Sequence, residues 1–366
     1  MGGSSARWLK EFAEDASSTD QFIKHPQHLE LLGLGLLGEA GSILAEVKKG
    51  MREGPAYLGF GVKVQEEIGD FLWYYIRIVS VLDPGLLEEI SRHGRSKPAS
   101  KNKNELDQIL EFGVVVGNLF SMIPDIKGES PTCIREALRP VWAQLRGVAS
   151  VAQVPLSEAA RGNVRKRSSR WPTELRPLPV FDDAYPSEEQ LPRQIKVEFL
   201  ERKRNGSPVV ILRINGLNIG DRLTDSIQEP DEYRYHDVFH FAHAAFLGWS
   251  PVVRSLLRSK RKSRPAVDEN EDGGRAQVIE EAISAVVFAR AKELQFFDGV
   301  NRIDYELLKT IQGLTRGYEV ERVPMWQWEK AILKAYEVFR KLKTNHGGRV
   351  LVDLQKRDLE YQPSSW

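Results

Sequence analysis

Apolar residues recur along the first 170 positions at the spacing of a helix face. Leu36, Ala40, Ile43, Leu44 and Val47 form one stripe, and Val64, Ile68, Phe71, Leu72, Tyr75 and Val79 form another. Residues three and four apart share one side of an α-helix, so each stripe predicts a helix with one buried face. Breakers at 50–55 separate the two helices, and Asp83-Pro84-Gly85 ends the second. Residues 91–104 are polar, basic and Pro-containing, and read as an exposed loop; helical spacing resumes over 105–122, 132–151 and 156–169.

Pro172, Pro177, Pro179 and Pro186 then mark the clearest boundary in the chain. Beyond them the period changes. Residues 194–201 and 208–215 are β-rich and flank Arg204-Asn205-Gly206-Ser207, a hairpin signal. Helices follow over 233–247, 276–294 and 326–344, and 349–354 is a strand candidate that would join the hairpin. The expected fold is mainly α: an N-terminal all-α helical bundle over 1–172, a Pro-rich linker over 173–192, and a C-terminal α+β domain with a small antiparallel sheet over 193–366.

Composition narrows the function. The chain has 366 residues, 41% apolar, enough for about two cores. Lys and Arg number 52 against 51 Asp and Glu, so bulk charge points to neither a nucleic-acid nor a membrane partner. Cys133 is the single cysteine, which excludes an internal disulfide framework and a Cys-rich zinc site. The longest apolar runs, 31–37 and 113–123, fall short of the ~20 residues that span a bilayer. With no secretory pattern at the start, the expectation is a soluble, cytoplasmic protein.

Carboxylates are the first candidate chemistry. Glu67 and Asp70 lie one turn apart on the second helix, and Glu39, Ser42 and Glu46 form a polar stripe on the first. If the apolar stripes pack together, these acids converge at one edge. Mg²⁺ takes oxygen ligands, usually one or two carboxylates with water and substrate phosphate. Solvated helix faces fit the same spacing.

Glu39-Ala40-Gly41 with Glu67-Ile68-Gly69-Asp70-Phe71-Leu72-Trp73-Tyr74 resembles the MazG-like branch of the all-α nucleoside triphosphate pyrophosphohydrolases, which pairs Glu-x-x-Glu on one helix with Glu-x-x-Asp on the next. Asn163, Lys166 and Arg170 are similar to that family's Asn-x-x-Lys-x-x-x-Arg segment, which meets substrate phosphates. The resemblance implies cleavage of an NTP or dNTP between the α- and β-phosphates, dependent on Mg²⁺ or Mn²⁺. It implies catalytic Glu39, Glu67 and Asp70, the same three with Glu46 as metal ligands, and a nucleotide held by Asn163, Lys166 and Arg170. It also implies a homodimer or higher homo-oligomer. Ser42 stands where the family has its second Glu. A neutral hydroxyl cannot replace that charge, which opens the alternative of a catalytically weak nucleotide-sensing or assembly module.

A second constellation lies in the C-terminal half. His236, His240 and His243 fall on one side of a helix with Asp237, and a later helix carries Glu280 and Glu281. Asp237, His240, Glu280 and Glu281 would form a second metal or phosphate site, or a polar network without metal. Tyr235-His236-Asp237-Val238-Phe239-His240 and the stretch 272–281 resemble the domain often found C-terminal to MazG-like modules. The basic run 254–264, followed by the acidic run 268–272, reads as a mobile surface loop. Asp272-Gly273-Gly274 reads as a helix start; no Gly-Lys-Ser/Thr follows to make a phosphate loop.

Overall fold

A computed structural model describes residues 4–92 and 104–363, so His93 and most of the expected 91–104 loop lie outside the described residues. The chain divides into two compact units, Met1–Ser168 and Ser169–Trp366.

Among its described residues the first unit holds only helices and their connections: α1 (Ser4–Ser18), α2 (His28–Glu53), α3 (Phe60–Leu82), α4 (Pro84–Arg92), α5 (Glu105–Met122), α6 (Pro131–Val151) and α7 (Leu156–Arg170), whose last two residues belong to the second unit. Its core takes Leu32, Leu36, Ala40 and Ile43 from α2, Val64, Ile68, Phe71 and Tyr75 from α3, and Phe112, Leu138 and Leu145 from the later helices. Two of its helices start on capping side chains. Asn104 accepts a hydrogen bond from the Leu106 amide (3.3 Å) and Ser130 from the Cys133 amide (3.2 Å), each capping a helix N-terminus. Gly50 does not break α2, which runs on to Glu53 and stops at Gly54, φ 54°. A helical glycine costs only about 1 kcal/mol. Here the bare position also admits the Phe60 ring, whose nearest atom would be 2.9 Å from a Cβ.

The second unit holds one antiparallel sheet: β1 (Gln194–Arg204), β2 (Ser207–Ile214), β3 (Leu217–Leu223), β4 (Gly347–Asp353) and β5 (Asp358–Gln362), in the order β3-β2-β1-β4-β5. Asn205-Gly206 and Asn215-Gly216 have positive φ at both residues and form two-residue hairpin turns. The second turn and β3 went unread in the sequence, although the same Asn-Gly signal is present. Ile195, Val197 and Phe199 point to the core with Val210, Leu212, Val350, Val352 and Leu359. Against them pack the helices α8 (Asp237–Ala242), α9 (Pro251–Leu257), α11 (Gly274–Glu293), α12 (Tyr305–Leu314) and α13 (Met325–Thr344), while the short α10 (Pro265–Asn270) buries no residue. The helix expected over 233–247 is continuous but changes pitch: a 3-10 turn at Tyr233–Tyr235, α8, then a π segment at His243–Leu247.

The basic run is not a mobile surface loop. Arg254 and Arg261 are buried, at 1% and 0% exposure. Arg254 donates to Asp182 (2.7 Å), and Arg261 pairs with Asp272 (2.7 Å) and Glu319 (2.6 Å). Charge counting treats all six basic residues alike, whereas the fold buries two of them against acids. In the stretch read as a linker, Asp182 and Leu191 are likewise buried within this unit.

Candidate functional site

Glu39 comes from the middle of α2, and Glu67 and Asp70 from successive turns of α3. Packing of the two apolar stripes leaves these acids along one edge of the helix pair. One carboxylate oxygen from each lies within 4.8 Å of the other two. All three side chains are half-buried. Burial, then the Asp70 and Glu67 carboxylates, push Glu39 up to about 8. Glu67 is also raised, by burial and by Asp70 and Glu66, and it shares a hydrogen bond with Glu39. Acids this close repel one another when ionised, so near neutral pH Glu39 retains its proton.

Helix α7 supplies the countercharge. Asn163 Nδ2 donates to Asp70 Oδ1 (2.6 Å). The Lys166 amine pairs with Asp70 and lies 3.3 Å from Glu66 Oε1. Burial pulls Lys166 down, but the two carboxylates outweigh it and its net shift is upward. Gly69 makes the close approach possible: a Cβ there would stand 2.6 Å from the Ala159 carbonyl oxygen on α7.

Three participants were missed in the sequence. Glu66 meets Lys166. Arg167 is buried, donates through Nε to Asn163 Oδ1 (2.9 Å), and pairs with Asp15. This holds the Asn163 amide with its nitrogen toward Asp70. Tyr74 lies beside the acids, its phenol raised by burial and by Glu39 and Asp70, and a Cβ on Gly35 would overlap its ring. In the sequence, Arg167 is one of several neighbouring basic residues and Tyr74 one of many aromatics; their burial depends on the fold.

Other expected residues are placed elsewhere. Glu46 does not join the three acids: its carboxylate accepts from Lys49 (2.5 Å) and from the Tyr57 hydroxyl. Burial would raise it, yet these two partners hold it below the usual carboxylate range. Ser42 is half-buried on α2. Arg170, the last residue of α7, donates to the Ile303 carbonyl (3.1 Å) and lies over the Trp171 and Tyr305 rings. The remaining set of three carboxylates with a nearby Lys and Asn suits a hard divalent cation such as Mg²⁺, which prefers oxygen donors.

The second constellation is brought together too. His240 and Glu280 are fully buried, Asp237 is 6% exposed, and Glu281 reaches solvent. Glu280 accepts from Ser250 Oγ (2.8 Å), the Val252 amide (2.9 Å) and His243 Nδ1 (3.0 Å). Burial opposes its ionisation, but His240 and His243 carry it down to about 2.

Residues 176–365 match the family model described as MazG C-terminal domain. Comparison with the curated proteins and with the solved structures gives no match. No helix among the described residues is long and apolar enough to cross a membrane.

Proposed function

The chain belongs to the MazG C-terminal domain family, and from that premise we propose that its first unit is a nucleotide pyrophosphohydrolase acting on an NTP or dNTP. The observation that carries this reading is the convergence of Glu39, Glu67 and Asp70 beside Lys166 and Asn163. Glu39, Glu67 and Asp70 would hold Mg²⁺, or Mn²⁺ in its place. The cation would supply charge neutralisation for the triphosphate and acidity for a bound water. A carboxylate of the group would accept the proton of the water that attacks the α-phosphorus. The bond to the β-phosphate oxygen then breaks, and a monophosphate and pyrophosphate leave. Lys166 serves as a point charge for phosphate oxygens, and Arg167 fixes Asn163. The family resemblance also implies a homo-oligomer, which light scattering would reveal.

Incubation with a panel of NTPs and dNTPs plus Mg²⁺ tests the reading. Pyrophosphate release is expected for at least one nucleotide. Glu67→Gln or Asp70→Asn should lower it by about 10²–10⁴-fold. A folded protein that releases none on the whole panel refutes the proposal.

Ser42 favours a second reading, a nucleotide-sensing or assembly module of weak activity. It leaves three carboxylates where the resembled family brings four. This reading predicts calorimetric nucleotide binding without turnover, and tighter Mg²⁺ binding in Ser42→Glu.

A further inference from the structure

The second unit contains two imidazoles whose arrangement is not explained by hydrogen bonding. His236 Nδ1 lies 2.9 Å from the Tyr233 carbonyl oxygen, and its ring stacks flat on Tyr233 at 4.3 Å. A carbonyl only accepts, so the proton sits on Nδ1 and Nε2 presents a lone pair. That lone pair faces Asp237 Oδ1 at 3.2 Å and Glu281 Oε2 at 3.9 Å. A lone pair turned toward carboxylate oxygens is repulsive unless a proton or a metal cation lies between them.

His240 repeats the pattern. It is fully buried; Nδ1 lies 3.0 Å from Glu280 and Nε2 3.4 Å from Glu281. Neither contact has the direction of a hydrogen bond, so both nitrogens are buried without a hydrogen-bond partner. Glu280 is already engaged by Ser250, Val252 and His243. Its carboxylate is thus committed to those three donors. His236, Asp237 and His240 each bring one donor atom within 4.8 Å of the others, and Glu281 stands beside both imidazoles.

We propose that His236 Nε2, His240 Nε2, Asp237 and Glu281 form a binding site for a divalent first-row transition metal. Zn²⁺ ligands at about 2.0–2.2 Å in a tetrahedron stand roughly 3.3–3.6 Å apart. The observed separations of 3.2, 3.4 and 3.9 Å bracket that spacing. Mixed imidazole and carboxylate donors select Zn²⁺ and its neighbours over Mg²⁺ and Ca²⁺. Tyr233 behind the His236 ring is the kind of outer partner that orients a ligating histidine, its carbonyl accepting from Nδ1. The Glu281 side chain is 45% exposed, which gives the metal an entry path and leaves a side for water or an anionic ligand.

The test uses the full chain, stripped with EDTA and titrated with Zn²⁺ by calorimetry and with Co²⁺ by its visible spectrum. One tight equivalent is expected, with Co²⁺ bands of nitrogen and oxygen coordination. His236→Ala and Glu281→Gln should each weaken Zn²⁺ binding by about 100-fold. Glu67→Gln, in the other unit, should leave it unchanged. Glu281→Gln carries the test if His236→Ala does not fold, because its side chain faces solvent. The proposal fails if the folded chain takes up no Zn²⁺, if folded Glu281→Gln binds it as tightly as the parent, or if Glu67→Gln abolishes uptake.

Discussion

At the scale of single residues, environment sets the chemistry. Glu39 has an ordinary value of 4.5 when unfolded and about 8 when folded. Between these values the native state holds a proton that the unfolded chain has lost. The stabilising contribution is therefore complete below 4.5 and drains away as pH rises toward 8. Thermal melts in EDTA should show the melting temperature of the first unit falling across that window. Glu39→Gln, which cannot ionise, should flatten the slope, and Mg²⁺ should oppose the fall by taking the proton's place. Arg261 supplies a second case. It is the shared partner of buried Asp272 and of Glu319. Arg261→Met leaves two carboxylates without their cation and should cost about 3–5 kcal/mol, read as a lower urea midpoint. A merely exposed arginine would cost almost nothing.

At the scale of elements, the approach of α7 to α3 decides whether the site has a cationic side. Gly69 lies in the middle of α3, where alanine would ordinarily gain about 1 kcal/mol of helix stability. Its Cβ would meet a backbone carbonyl at 2.6 Å. Overpacking of this kind costs about 1–3 kcal/mol, so the clash wins. Gly69→Ala should lower the melting temperature and pyrophosphate release together, because Asn163 and Lys166 move off Asp70. Gly117→Ala on α5, where a Cβ meets nothing within 4 Å, should be neutral or stabilising. The helix periods were readable at this scale because a buried face imposes its own spacing. The change of pitch at His243 was not, since a π segment has no period of its own in the sequence.

At the scale of the whole molecule, the two hydrophobic clusters share no residue. Leu36, Ile68 and Phe112 belong to one, and Phe199, Phe241 and Trp328 to the other. Residues 1–168 and 169–366 expressed separately should each unfold in a cooperative transition by calorimetry. A fragment that melts without cooperativity would show that its core depends on the other unit. The first fragment should carry whatever nucleotide turnover the full chain has.

The sequence by itself determined the longer helices, the change from helix to hairpin after the prolines, and the acids carried by α2 and α3. Periodicity and turn chemistry are local, and a local signal survives in one dimension. Tertiary structure decided which charges are shared. It turned Glu46 to Lys49 and Tyr57, sent Arg170 to Ile303, buried Arg254 and Arg261 against acids, and set the His236 and His240 nitrogens against carboxylates of α8 and α11. Arg170 with Ile303 and Arg254 with Asp182 are far apart in the chain, and no spacing along it encodes those pairings.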